Sequence, residues 1–347
     1  TGAQTAHRLS PPHGMASASE APSAAAAAST APSSTEPSTG PAIRTSHRLG
    51  KIGRLELSTC TKIGRRKTQE DRLVVCPKML GREDVSLFCV FDGTVGDHAA
   101  AFCHDKFPGI LVKRPSFAAA VEAMDGGDVA ATKTKLAAAL QEAFAQTDAE
   151  LIESCKADKV LDYVSSTGVV AVLMGKVLSI AHVGDSRVAV GHMVDGSLRG
   201  GNMTIDHKPD KPAELRRIEA AGGSLTYLHG GKPFIRGGDF TARQARGDRP
   251  MQLNYSRAFG GKDLKPYGLS CQPSISHVDV TASEKMVILA SDGLWDVISA
   301  DSAVGAAQAA ASSGAASDPA EHLVDSALAA HDAAGSVDNV TVVVAFF

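Results

Sequence analysis

Short acidic packets at the ends of continuous apolar runs constrain this chain more than any other feature. Glu70-Asp71 lies in RRKTQEDR and Asp92-Gly93 closes LFCVFDG. Asp185 sits in HVGDSR, Asp292 and Asp296 sit in VILASDGLWD, and Asp338-Asn339 opens DNVTVVV. Most of these packets abut β-branched or aromatic runs, the composition of buried strands. A carboxylate at the end of such a strand is costly to desolvate unless something cationic compensates it. Several ends converging would make an all-oxygen cage for hard divalent cations. Mg²⁺ or Mn²⁺ is the natural occupant, because no Cys/His ligand cluster accompanies the carboxylates. A plainer reading exists for each: Asp92 and Asp185 suit Asx-turns, and Asp206 suits a helix entry or a local turn. Taken singly the turn reading is at least as good. Five acidic strand ends together are hard to explain as turns.

The order of elements narrows the fold. Residues 1–45 are rich in Ala, Ser, Pro and Thr and read as a disordered tail, because they cannot bury enough apolar surface to offset chain entropy. The alanine run at 24–28 is too short to persist as a helix. From 46 to 347 strand and helix signals come in blocks. LFCVFD (87–92), MVILAS (286–291) and VTVVVAFF (340–347) are buried strands. Residues 166–191 hold two or three strands turning at Gly175-Lys176 and Gly184-Asp185. Helices are expected over 98–107, 132–153, 303–312 and 319–331, and from Pro212 to a glycine stop at Gly222. Strands in adjacent runs argue against a Rossmann-type parallel sheet. The expectation is an α+β domain: two antiparallel sheets packed as a central sandwich, with helices on both outer faces.

Read in order, RRKTQEDR, FDGTVG, SSTG, GDSR, DHKP with its helix and AGG, SRAFGG, SDGLWD and DN resemble the metal-dependent Ser/Thr protein phosphatases of the 2C type. The likeness runs from about Arg54 to Phe347. It implies hydrolysis of phosphoserine and phosphothreonine in phosphoprotein substrates, by a two-metal-activated water attacking phosphorus in line. It implies two Mg²⁺ or Mn²⁺ ions about 4 Å apart, held by residues in the positions of Glu70, Asp71, Asp92, the Gly93 carbonyl, Asp292 and Asp338. A third, weaker cation would use Asp185 and Asp296 beside Asp292. Arg66, four residues before Glu70, stands where the family grips the substrate phosphate, a task that suits a guanidinium. Its plainer reading is a solvated basic cluster with Arg65 and Lys67.

One packet departs from the pattern. The family reads DGHGG where this chain reads DGTVG. The His replaced by Thr94 is taken as the acid that protonates the leaving group, and a Thr hydroxyl does not titrate near neutrality. Such an acid is worth roughly 10²–10⁴-fold. His98, four residues on, is the nearest substitute, with helix packing as its plainer reading. Val95 replaces a glycine, so a changed loop shape is expected. An alternative is therefore a pseudophosphatase serving as a binding or scaffold module.

Residues 226–261 form a segment longer than the usual family flap, with Arg236, Arg243, Arg246, Arg249 and Arg257. A mobile surface loop and a docking flap for acidic or phosphorylated sequence are equally good readings of it. A formal net charge of −3 excludes a general nucleic-acid binder, and no apolar run is long enough to span a bilayer. Six scattered cysteines, none in a C-x-x-C, favour a reducing compartment, cytoplasmic or nuclear. A monomer is expected.

Overall fold

The computed structural model describes residues 45–313 and 317–347. The Ala/Ser/Pro-rich tail and its alanine run lie outside them. The chain opens with β1 (Thr45–Ile52), β2 (Leu55–Lys62), β3 (Asp71–Cys76) and β4 (Val85–Thr94). Three helices follow: α1 (His98–Val112), α2 (Pro115–Asp125) and α3 (Val129–Ser154). Then come β5 (Ser165–Ser166), β6 (Gly168–Met174), β7 (Val177–Val183), β8 (Arg187–Val194) and β9 (Ser197–Asn202). A smaller block holds α4 (Pro212–Ala220), β10 (Gly223–Leu228), β11 (Lys232–Gly237), α5 (Phe240–Ala245) and β12 (Gln252–Leu253). The remainder is β13 (Phe259–Gly260), β14 (Ser274–Asp279), β15 (Glu284–Ala290), the short α6 (Asp292–Trp295), α7 (Ala300–Ser312), α8 (Pro319–Ala334) and β16 (Val340–Phe346).

Two large antiparallel sheets result. One runs β1-β2-β16-β15-β8-β9; the other runs β13-β5-β4-β6-β7-β14, with β3 on β4. Alternation along each strand decides which layer a side chain joins. In β4, Phe88 and Val90 point into the space between the sheets, where they meet Val169, Ile180, Leu289 and Val343. Leu87, Cys89 and Phe91 point the other way, onto Phe107 of α1, Phe117 of α2 and Phe144 of α3. In β15, Val287 and Leu289 face the other sheet, while Met286, Ile288 and Ala290 pack on Val304 of α7 and Leu323 of α8. Both faces of the central strands are buried, which is why their sequences are apolar without interruption. The architecture is helix, sheet, sheet, helix, as expected from the blocks.

Local signals set the helix ends. Asp128 caps α3 by accepting from the Ala131 N–H, and Asp318 caps α8 by accepting from Glu321. Pro212 and Pro319 occupy first turns, where a missing N–H costs nothing. The segment 115–125 forms a helix that periodicity alone did not single out. Its Pro115 start and buried Phe117 and Ala120 mark it in retrospect.

The arginine-rich segment is a built element rather than a loop. β10, β11 and β12 form a three-stranded sheet, with Ile235 and Leu253 in a small core with Ile218 of α4. Its arginines are mostly engaged. Arg243 pairs with Asp263 at 2.8 Å, Arg257 with Glu214 at 2.5 Å, and Arg236 lies 4.1 Å over the Phe240 ring while bonding Gln252. These contacts argue against both a mobile loop and a free basic docking surface.

Candidate active site

The strand ends carrying the acidic packets meet at one end of the sandwich. β3 begins and β4 ends there, since Asp71 lies opposite Asp92 in their antiparallel register. The tight turn between β7 and β8 presents Asp185, β15 ends just before Asp292, and the loop before β16 presents Asp338. Arg66, Glu70, Asp92, Gly93, Thr94, Asp185, Asp292, Asp296 and Asp338 line one cavity of about 420 Å³. Nine of the eleven residues singled out from sequence thus share a wall.

Two of the eleven do not. Asp71 is 3% exposed and lies behind the wall, where its Oδ2 accepts from the Ser291 hydroxyl at 2.8 Å. Ser291 in turn accepts from the Thr341 N–H, so Asp71 ties β3 to the junction of β15 and β16. Asp71, read from the sequence as one of the residues holding the cations, thus lies beneath Asp92 rather than on the cavity surface. His98 begins α1 and is absent from the cavity lining. It sits on the first turn of a helix whose next residues, Ala99 and Ala100, are packed in the core. Its Nε2 is buried with no hydrogen-bond partner among the described residues.

Asn339 holds the two chain ends of the site together. Its Oδ1 accepts from the Glu70 N–H at 2.9 Å, and its Nδ2 donates to the Ile63 and Thr68 carbonyls, each at 3.0 Å. Gly93 is required by space: a Cβ there would stand 2.6 Å from the Glu70 carbonyl oxygen. Val95 keeps a positive φ of 64°, the conformation a glycine would take. A β-branched residue is thus held in a strained backbone at the cavity mouth.

Electrostatics divide the wall. Burial pushes the Asp92 carboxyl well above the ordinary range, and Asp71, Asp292 and Asp185 push it further. Burial, then Asp185 and Asp338, does the same to Asp292. Asp71 Oδ1 is buried with no hydrogen-bond partner among the described residues. Asp185 differs, because the Lys208 ammonium is bonded directly to it. Asp206, expected at a helix entry or turn, is instead clasped by both arms of Arg187, at 2.6 and 2.9 Å. Lys232, reaching in from β11, stands 4.0 Å from Asp296. Arg66 donates to Asp338 at 2.9 Å through Nη2 and to the Val337 carbonyl at 3.3 Å through Nε.

The donor set around Asp92 fits hard cations: all oxygen, anionic, raised by mutual repulsion, and backed by an orphaned buried oxygen. Among the described residues no three Asp, Glu, His or Cys groups close into a finished cage. A lined cavity of this kind suits Mg²⁺, which keeps much of its own water and is held partly through it. The Asp185–Asp296 corner fits a further cation less well, because Lys208 and Lys232 already supply positive charge there.

Sequence reasoning missed Asn254, Tyr255 and Lys232, all of which line the cavity. Tyr255 is 3% exposed, and its hydroxyl donates to Thr94 Oγ1 at 2.8 Å. A Tyr placed just before SRAFGG was the available signal.

Comparison with known proteins points to one family. Residues 55–340 match the model of the family described as protein phosphatase 2C. An Arabidopsis thaliana protein named "Probable protein phosphatase 2C 76" is 33% identical over 295 residues, 85% of this chain. The chain spans 60% of that relative's length and 55% of a similar Oryza sativa relative's. The crystal structure of serine-threonine phosphatase 2C from Toxoplasma gondii is 43% identical, with a TM-score of 0.82 over 88% of this chain and 99% of that one. The catalytic domain of the serine threonine protein phosphatase PstP, solved in complex with two manganese ions, shares the fold at 21% identity, covering 84% of this chain and 97% of that one, with a TM-score of 0.51.

Proposed function

This chain belongs to the protein phosphatase 2C family, and we propose that it hydrolyses phosphoserine and phosphothreonine in proteins. The observation that carries this reading is the convergence of Glu70, Asp92, Asp292 and Asp338 with Arg66 on one cavity. Mg²⁺ or Mn²⁺ held by Glu70, Asp92, the Gly93 carbonyl, Asp292 and Asp338 would supply Lewis-acid charge and an acidified water. The two manganese ions of PstP support that metal number. The Lys208–Asp185 pair favours two ions over three.

The protein's own groups do the rest. Arg66 spends Nε and Nη2 on Val337 and Asp338, which fixes the guanidinium plane at the cavity edge. Its remaining terminal nitrogen has no hydrogen bond among the described residues and is left for a phosphate oxygen. Asp71 holds the β3 end against β15 and β16, and so holds Asp92 in place. Water attacks phosphorus in line; the P–O bond to the side chain breaks with its electron pair on the leaving oxygen. That oxygen gains a proton, giving the free hydroxyl and inorganic phosphate. The six unpaired cysteines support action in a reducing compartment, the cytoplasm or nucleus.

Release of inorganic phosphate from a phosphothreonine peptide tests the reading. Turnover should require Mn²⁺ or Mg²⁺ and stop in EDTA. No turnover of any phosphomonoester at saturating Mn²⁺ would favour the binding-module alternative that Thr94 suggests. Full activity in chelator would overturn the metal assignment.

A further inference from the structure

Three hydroxyls form a chain in the cavity wall. Ser165 and Tyr255 are buried, and Thr94 is half-buried and lines the cavity. Ser165 lies opposite Thr94 in the short pairing of β4 with β5. The Tyr255 hydroxyl stands 3.0 Å from Ser165 Oγ and donates to Thr94 Oγ1 at 2.8 Å. Each hydroxyl has one proton to give. The Tyr255 proton is committed to Thr94, so Ser165 donates to Tyr255. The Thr94 proton has no acceptor among the described residues, and Thr94 lines the cavity. Chains of this kind strengthen the terminal donor by polarising one another.

A phosphomonoester entering the cavity meets two kinds of partner. Its three charged oxygens are drawn to Arg66 and to the cations the carboxylates hold. The ester oxygen carries little charge at the start and gains it only as the P–O bond breaks. It is left for neutral donors, and Thr94 offers one already backed by another hydroxyl. We propose that the Thr94 hydroxyl hydrogen-bonds the ester oxygen as it becomes the leaving group, with Tyr255 as the positioning residue that orients and polarises it. The inference rests on the phosphatase reading above. It involves no proton transfer from Thr94: the P–O bond pair goes to the leaving oxygen, Thr94 stabilises it by a hydrogen bond, and the proton that completes the alcohol comes from solvent.

The test compares two substrates at saturating Mn²⁺. A phosphothreonine peptide releases a poor leaving group, and p-nitrophenyl phosphate releases a good one. Tyr255→Phe, which keeps the buried ring, should lower kcat on the peptide about five- to tenfold with KM unchanged, the scale of one weakened hydrogen bond. Its effect on p-nitrophenyl phosphate should stay under about twofold, because nitrophenolate leaves without help. Thr94→Val should lose at least as much on the peptide, and Thr94→Ser should retain most of the rate. The double variant Tyr255→Phe/Thr94→Val should be no worse than Thr94→Val alone, since both remove one device. Calorimetric Mn²⁺ affinity should match wild type in Tyr255→Phe and Thr94→Ser, which separates this role from metal binding. Equal losses on both substrates, additive losses in the double variant, or a loss confined to KM would overturn the assignment while leaving the phosphatase reading intact. A wild-type protein that hydrolyses neither substrate would overturn both.

Discussion

The two halves of the cavity wall solve the same problem in opposite ways. On one side Asp92 and Asp292 stand at buried strand ends with carboxylates as their main neighbours, and burial and repulsion raise both. On the other, Asp185 and Asp206 stand on equally polar ground, but Lys208 and Arg187 are bonded to them. Burial still raises the Asp185 carboxyl, against the pull of Lys208. One half therefore stores uncompensated negative charge and the other is sealed by its own cations. The difference teaches where an external ion is wanted. A carboxylate with a resident cation is already compensated, whereas one surrounded mainly by other carboxylates, as Asp92 is, gains most from an added ion.

The harshest way to break the contrast is to remove charge from the uncompensated half. Asp92→Asn or Asp292→Asn should lower phosphatase activity by at least about 10³-fold, as loss of a metal-assisted step implies. The same change should stabilise the metal-free protein. A carboxyl whose folded pKa is raised stabilises the fold at low pH and loses that contribution as pH rises from its unfolded value, 3.8, through the folded one. The stability gap between metal-free wild type and Asp92→Asn should therefore widen in favour of the variant as pH rises above about 4. Urea titrations at several pH values measure it; a gap that stays constant would remove the repulsion argument.

Unsealing the other half is the next largest change. Lys208→Ala leaves Asp185 buried without its partner and should cost about 3 kcal/mol. Added Mn²⁺ should recover part of that loss in the variant and less in a wild-type protein already saturated at its high-affinity ions. Thermal melts across a Mn²⁺ series decide it. If both proteins respond alike, the lysine does not stand in for an ion.

Arg66 lies where the two kinds of charge meet. Arg66→Ala should raise KM for phosphopeptide about tenfold, the worth of one charge-assisted hydrogen bond, with a smaller change in kcat. Arg66→Lys should recover only part, because an ammonium lacks the planar fork. An unchanged KM would return Arg66 to a structural clasp on Asp338. The smallest effect is expected at Val95. Val95→Gly should stabilise the protein by about 1 kcal/mol through relief of the left-handed strain, read as a modest rise in melting temperature.

Much of the fold and the cavity was legible in the sequence, and the reason is local. The runs around Phe88 and Leu289 are apolar because both faces are covered, so they announce buried strands without any tertiary knowledge. Their acidic ends mark the direction in which the site lies. What escaped was set by contacts between distant segments. The depth of Asp71 depends on Ser291, 220 residues away, and the hydroxyl of Tyr255 reaches Thr94 across 161 residues. The partners of Asp185 and Asp206 follow from which strand passes beside which. Arginines in the 226–261 segment suggested a surface for ligands, yet their partners are Glu214, Gln252 and Asp263, met only once the small sheet has formed. Sequence displays the periodicity that selects elements; it does not display which two side chains will share a hydrogen bond.

The position of β16 has a consequence for how the protein is made. It is the last element described, yet it lies inside its sheet, between β2 and β15, and the residues just before it are Asp338 and Asn339. A ribosome delivers the chain in order, so β2 and β15 emerge with a missing strand between them. Until residues 338–346 clear the exit tunnel, Asn339 cannot join Glu70 to Ile63 and Thr68, and the cavity lacks one of its carboxylates.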